Sequence, residues 1–217
     1  MKKIIIGIFI LFNILNASLV DDGLKAYAQG LSYANGDGVK QNKQKASKLY
    51  AKACDGGIMR GCHNLGLLYD TGDGIKQNKR KASKLYTKAC DGGIMRGCSN
   101  LGSLYLFGDG VKKDKQKASK LYTKACDGGI MEGCYNLGLL YDNGDGVRQN
   151  KQKASKLYTK VCDGGHISGC YNLALLYGRG DGVRQDKQKA KELFGKACDG
   201  GSMNGCKGYK ILNEQGY

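Results

Sequence analysis

The ten cysteines of this chain fall into five pairs, eight residues apart within a pair and thirty-six from one pair to the next. The pairs are Cys54 and Cys62, Cys90 and Cys98, Cys126 and Cys134, Cys162 and Cys170, and Cys198 and Cys206. Around them one segment recurs almost unchanged, as in KLYTKACDGGIMRGC at 84–98. A fixed period of this length is what stacked helical hairpins produce, because each unit buries its apolar face only against its neighbour. The core then grows along an array and not around one centre, so the 217 residues do not count domains. The thirty-five glycines recur at fixed places in the period and read as breaks between helices, not as low complexity.

The first residues stand outside the period. Lys2 and Lys3 precede an apolar run from Ile4 to Leu15, followed by Ala17 and Ser18. That is the pattern of a secretory signal peptide, predicted over 1–17 with cleavage near Ala17. The run is short of the ~20 apolar residues that a membrane span needs, so no integral span is expected after cleavage. No cysteine follows the run until Cys54, which speaks against a lipoprotein. An exported chain with an even, regularly spaced set of cysteines points to disulfides and to a secreted or periplasmic location.

On the period, 18–217 divides into units of about 22–57, 58–93, 94–129, 130–165 and 166–201, with 202–217 as a C-terminal cap. Each unit holds two helices, which makes the predicted fold all-α, an α/α solenoid of 36-residue hairpins. In the first helix, over 59–70, Cys62, Leu65 and Tyr69 form one stripe at helical spacing and are predicted core. Gly66 recurs as Gly30, Gly102 and Gly138. Each costs ~1 kcal/mol of helix propensity relative to Ala, so the recurrence predicts close approach of another backbone. After a turn such as Thr71 to Gly74, a second helix opens at Asn42, Asn78, Asp114, Asn150 or Asp186, each placed to accept a bond from an unpaired amide. Ala82, Leu85, Tyr86 and Ala89 are its predicted buried face, and Gly92 its predicted left-handed terminator.

This layout puts Cys90 in the last turn of one helix and Cys98 one turn into the next. An antiparallel hairpin brings their Cβ atoms face to face at a Cα separation expected near ~5.5 to 6 Å. Each closed loop is short, so the expected stabilisation is roughly 2.5 kcal/mol per bridge. Zinc is the alternative, and it needs four ligands to converge, whereas each pair lies a full period from the next. The first unit has Ala26 where Cys62 stands, and no preceding second helix for a cysteine to meet.

The run LGLLYDTGDGIKQNKRKASKLYTKACDGG at 65–93 resembles the Sel1-like repeat, a relative of the tetratricopeptide repeat. With the cysteine pair and the leader, the mature chain is similar throughout to the Helicobacter cysteine-rich proteins. That resemblance implies a right-handed superhelix with one disulfide per repeat, export, and a family label of β-lactamase with penicillin binding. No motif here carries that activity. A serine β-lactamase needs a lysine three residues after its nucleophile, but Ser47, Ser83, Ser119 and Ser155 are each followed by Lys-Leu-Tyr, and no KTG strand exists. The two histidines, His63 and His166, occupy non-equivalent positions and read as surface residues; no metal or cofactor site is predicted. The Asp142 to Gly146 turn lacks the alternating ligands and terminal Glu of a calcium loop. Lysines such as Lys43, Lys45, Lys48 and Lys52 read as a solvated face without interleaved aromatics, and nucleic acid is not an expected partner.

The contrast between copies is the most informative feature. Arg60, His63, Leu67 and Asp70 drift from copy to copy, with Tyr135 and Tyr171 at the position of His63. Their spacing places them on one face of the first helix, apart from the core stripe. Beside them Asn64, Asn100, Asn136 and Asn172 repeat without change. A ladder of amides suits gripping the backbone of an extended peptide in a concave groove while the drifting neighbours select its side chains. The same asparagines could instead bond a neighbouring turn, and both readings stay open here. The function expected is thus a scaffold that binds a peptide or protein segment. The alternative is a weak β-lactam hydrolase, or a binder of β-lactam or peptidoglycan fragments.

Overall fold

The computed structural model describes side chains from residue 18 to 217; residues 1–17, read above as the leader, lie outside that range. The elements are α1 (Lys2–Asn35), α2 (Lys43–Asp55), α3 (Met59–Thr71), α4 (Lys79–Asp91), α5 (Met95–Phe107), α6 (Lys115–Asp127), α7 (Met131–Asn143), α8 (Lys151–Asp163), α9 (Ile167–Arg179), α10 (Lys187–Asp199) and α11 (Met203–Glu214). Among the described residues there is no strand, and no helix long and apolar enough to cross a membrane. The fold is an all-α repeat of helical hairpins, as the period predicts. First helices are the end of α1 and then α3, α5, α7, α9 and α11, the last serving as the cap; second helices are the even-numbered elements. The chain forms two compact units, one of residues 1–97 with 108–112 and the other of 98–107 with 113–217.

All five predicted caps are made. Asn42, Asn78, Asp114, Asn150 and Asp186 each accept from the amide three residues on, at 2.8–2.9 Å. At the other end of the second helix the left-handed residue is Gly93, at φ +87°, and not Gly92, at φ −81°. The amide of Ile94 reaches Ala89 O at 2.8 Å and that of Gly93 reaches Cys90 O at 3.2 Å, a Schellman closure that needs positive φ one residue later than expected. Glycine at the earlier position serves packing. A Cβ on Gly200 would stand 2.5 Å from Ile167 Cγ1 of the preceding first helix, and one on Gly164 would stand 3.2 Å from Met131 Sδ.

The bridges join Cys54 to Cys62, Cys126 to Cys134, Cys162 to Cys170 and Cys198 to Cys206, while Cys90 and Cys98 are disulfide-bonded as well. No cysteine is free. The Cα separations are 4.5–4.6 Å, shorter than expected. The residue before each second cysteine explains this. A Cβ on Gly61 would lie 2.8 Å from Ala53 Cβ and 3.0 Å from Tyr50 O, so only glycine lets the two helices come this close. Gly133 repeats the contact against Ala125, and Gly169 against Val161.

The recurring Gly66 has a different partner from the one expected. A Cβ there would sit 2.7 Å from Tyr86 Cε1, so the group that approaches is a tyrosine ring of the same repeat and not another backbone. Gly30, Gly102 and Gly138 face Tyr50, Tyr122 and Tyr158 in the same way. These rings lie at the centre of the core with Ala46, Ala82, Ala118 and Ala154, all fully buried. Leu65 and Leu68 complete the first-helix stripe. Tyr69 sits at its edge, partly exposed, with Lys81 Nζ 5.0 Å above its ring.

Candidate functional site

The drifting face of the first helix rests on a floor of aromatic rings. Tyr27, His63, Tyr135 and Tyr171 occupy one repeat position and lie tilted over the second-helix ring of their own repeat. The pairs are Tyr27 on Tyr50 at 6.0 Å, His63 on Tyr86 at 5.9 Å, Tyr135 on Tyr158 at 6.0 Å and Tyr171 on Phe194 at 5.7 Å. His63 is therefore half-buried and not the surface histidine expected; His166 is exposed. Burial pushes the His63 imidazole below its ordinary range; a bond with Asn64 acts the other way, and the Arg96 charge lowers it further.

The asparagines link successive repeats. Asn64 Nδ2 donates to the Tyr27 hydroxyl at 3.5 Å, and Asn172 Nδ2 donates to the Tyr135 hydroxyl at 3.3 Å. Each spans thirty-seven residues, so the amide ties its own first helix to the ring of the preceding one. Asn64 also bonds the half-buried His63, at 3.3 Å. Asn100 and Asn136 sit at the same position on α5 and α7, partly exposed like the others. Around them Arg60 is exposed, as is Leu67.

Asp70, the fourth drifting position, has a structural explanation. Its Oδ2 accepts from the buried Tyr86 hydroxyl at 3.1 Å, and Asp142 accepts from Tyr158 at 3.3 Å. Where Leu106 replaces the acid, Ser103 on the previous turn meets the Tyr122 hydroxyl at 3.0 Å. Where Gly178 replaces it, the ring is Phe194, which has no hydroxyl to satisfy. Asp70, Ser103 and Asp142 are thus partners of the buried tyrosines of their own repeats. Burial raises the hydroxyl of Tyr122 above its ordinary value and that of Tyr158 well above it.

The carboxylates of the turn are engaged by lysines. Lys79 meets Asp70 at 2.6 Å and Asp109 at 3.6 Å, Lys151 meets Asp142 at 2.5 Å, Lys43 meets Asp73 at 2.9 Å, and Lys115 pairs with Asp145. The remaining lysines differ from the expectation of a face without aromatics. Lys45, Lys81, Lys117, Lys153 and Lys189 lie 4.2–5.1 Å from the ring centroids of Tyr33, Tyr69, Tyr105, Tyr141 and Tyr177. The sequence signal for these pairs is a twelve-residue separation across the turn, visible only once the turn is folded. Ser83, Ser119 and Ser155 are buried and donate to the carbonyl three residues back at 2.8–2.9 Å.

In the second unit the drifting face opens into a cavity of about 390 Å³ between α9 and α11. Tyr171, Leu175, Phe194 and Ile211 line it, with Arg179 and Lys207 among the other lining residues. Of the residues named from sequence, Tyr171 alone reaches this cavity.

A family model described as Sel1 repeat matches five times, at residues 25–58, 60–94, 96–130, 132–166 and 167–202. A protective antigen of uropathogenic Escherichia coli with an SLR fold is similar, at TM-score 0.87 and 33% identity over 89% of this chain. The present chain spans 42% of that antigen's length. A Sel1 repeat protein from Oxalobacter formigenes is similar at TM-score 0.80 and 28% identity, covering 86% of this chain and 74% of the other. Cysteine-rich protein B of Helicobacter pylori is 37% identical over 63% of this chain and 98% of its own, at TM-score 0.49. The search of curated proteins finds no match.

Proposed function

This chain belongs to the Sel1 repeat family, and from that premise we propose that it is an exported scaffold whose first-helix face binds an extended peptide or protein segment. One observation carries the reading. Beneath the face the second-helix rings and the asparagines repeat, while Arg60 and His63 become Glu132 and Tyr135 two copies on, and Leu67 becomes Ser103 in the next copy. A constant frame with changing side chains is what selects one sequence of partner side chains along a repeat array.

The proposed roles follow from placement. Asn64, Asn100, Asn136 and Asn172 stand beside the path of a peptide backbone, with the tyrosine bonds at Asn64 and Asn172 fixing their orientation. Arg60, Leu67, Tyr135 and Tyr171 supply charge and apolar contact beside them. The buried, helix-bonded serines favour binding over acyl transfer. Bridged cysteines at every junction support an oxidising compartment, and with it removal of residues 1–17 on export to the periplasm or the medium.

The test is selection of peptides from a random display library on the oxidised full chain, followed by calorimetry on variants. Leu67→Glu with Leu139→Glu should reduce affinity at least about tenfold, since a carboxylate at an apolar contact loses on the order of 1.4 kcal/mol or more. Lys84→Glu with Lys156→Glu, on exposed second-helix positions, should leave it unchanged. The opposite pattern overturns the proposal.

A further inference from the structure

At the cavity between α9 and α11 three repeat positions change together. Gly178 stands where Asp70 and Asp142 stand in other copies, Phe194 where those copies have Tyr86 and Tyr158, and Gly208 where they have the ladder asparagine. At Asp70 and Asp142 the acid reaches the buried hydroxyl and a lysine closes over it. Here the acid, the hydroxyl and the amide are all absent: Gly208 packs directly on the Phe194 ring, where a Cβ would stand 2.8 Å from Cγ, and Tyr171, Leu175, Gly178 and Ile211 line the cavity beside it.

The charge at this place is reversed as well. Arg179 and Lys207 line the cavity, with Asn204 as a further donor, and no acidic side chain does. The acid on α11, Glu214, is directed to Lys210 at 3.8 Å. An apolar lining that carries Arg179 and Lys207 and no acidic side chain is complementary to one kind of small molecule. We propose that this cavity binds a small apolar carboxylate, its hydrocarbon body on Phe194 and its carboxylate between Arg179 and Lys207.

The volume of about 390 Å³ lies at the small end of ligand sites, which suits a phenyl ring with a short chain. The guanidinium offers paired donors to a carboxylate, and a phenyl ring finds apolar contact with Tyr171, Leu175 and Ile211 beside the buried Phe194. The inference does not rest on the peptide reading. A chain that binds no peptide still has this cavity, and a selected peptide that binds elsewhere on the first-helix face leaves it open to the probe.

The experiment is titration of the oxidised full chain with 4-phenylbutyrate by calorimetry, with 4-phenylbutanol as the uncharged comparison. The carboxylate should saturate one site per chain and bind about tenfold more tightly than the alcohol. Gly178→Asp restores the acid that other repeats carry. A Cβ at Gly178 meets only Ala190 Cβ, at 3.7 Å, so the side chain fits the helix and enters the cavity. This variant should lose binding while circular dichroism and melting temperature stay near the parent's. Arg179→Gln with Lys207→Gln should bring the carboxylate's affinity down to that of the alcohol, and this pair decides the matter if Gly178→Asp fails to fold. Absence of a saturable site, equal affinity for acid and alcohol, or undiminished binding in the variants overturns the proposal.

Discussion

A tyrosine hydroxyl taken out of water needs a partner, and the repeats meet that need with different residues at the same place. Asp70, Ser103 and Asp142 each reach the hydroxyl below them, and Phe194 removes the need. Ser103→Ala should therefore cost on the order of 1 kcal/mol, and adding Tyr122→Phe should recover most of it. Additive losses in thermal unfolding would contradict the pairing. His63 carries a second residue-scale prediction. Burial against Tyr86, with Arg96 nearby, holds its imidazole below the value of about 6.5 that it has unfolded. Below that pH the unfolded chain takes up a proton that the folded chain refuses. The contribution of His63 is thus complete above about pH 6.5 and declines as pH falls through and below it. His63→Tyr supplies the ring used by three other copies and should flatten this part of the melting-temperature slope between about pH 7.5 and 5.5. An unchanged slope would contradict it. Both features were partly hidden in the sequence: drift at Asp70 was visible, but its cause lay sixteen residues away on another helix.

At the scale of the element, the hairpins were legible because their signals are local. The caps, the glycine breaks and the cysteine pairing follow from spacing along one or two turns, and all five caps are made. What was not legible was which glycine does which work. Gly92 and Gly93 are neighbours of the same type, and only the backbone shows that the second turns the chain while its neighbour makes room for the preceding helix. Gly66 likewise announced a close approach without saying that the approaching group is the ring of Tyr86. Gly133 makes the sharpest element-scale prediction, since an added Cβ lies 2.6 Å from Ala125 Cβ and 3.1 Å from Cys126 N. Gly133→Ala should destabilise by about 1–3 kcal/mol through overpacking and slow closure of the Cys126–Cys134 bridge on refolding. Unfolding curves and thiol titration during refolding check both, and parent-like values would show that the helices have room to spare.

For the whole molecule, the same staple recurs at each junction from Cys54 to Cys206. Full reduction should lower the melting temperature markedly, each short loop contributing roughly 2.5 kcal/mol through the unfolded chain, and a reduced protein that melts like the oxidised one would contradict that role. The period made the repeat legible at this scale, but it was silent on where copies diverge in three dimensions. Gly178, Phe194 and Gly208 come from three helices, and that they meet at one cavity is a property of packing alone. The central claim is that the first helices carry the working surface while the second helices and their bridges hold it in place. Hydrogen–deuterium exchange of the oxidised chain with and without a selected peptide tests this most directly. The account predicts protection over the first helices, at Met59–Thr71, Met131–Asn143 and Ile167–Arg179, with Lys79–Asp91 and Lys151–Asp163 unaffected. Protection confined to those second helices would contradict it.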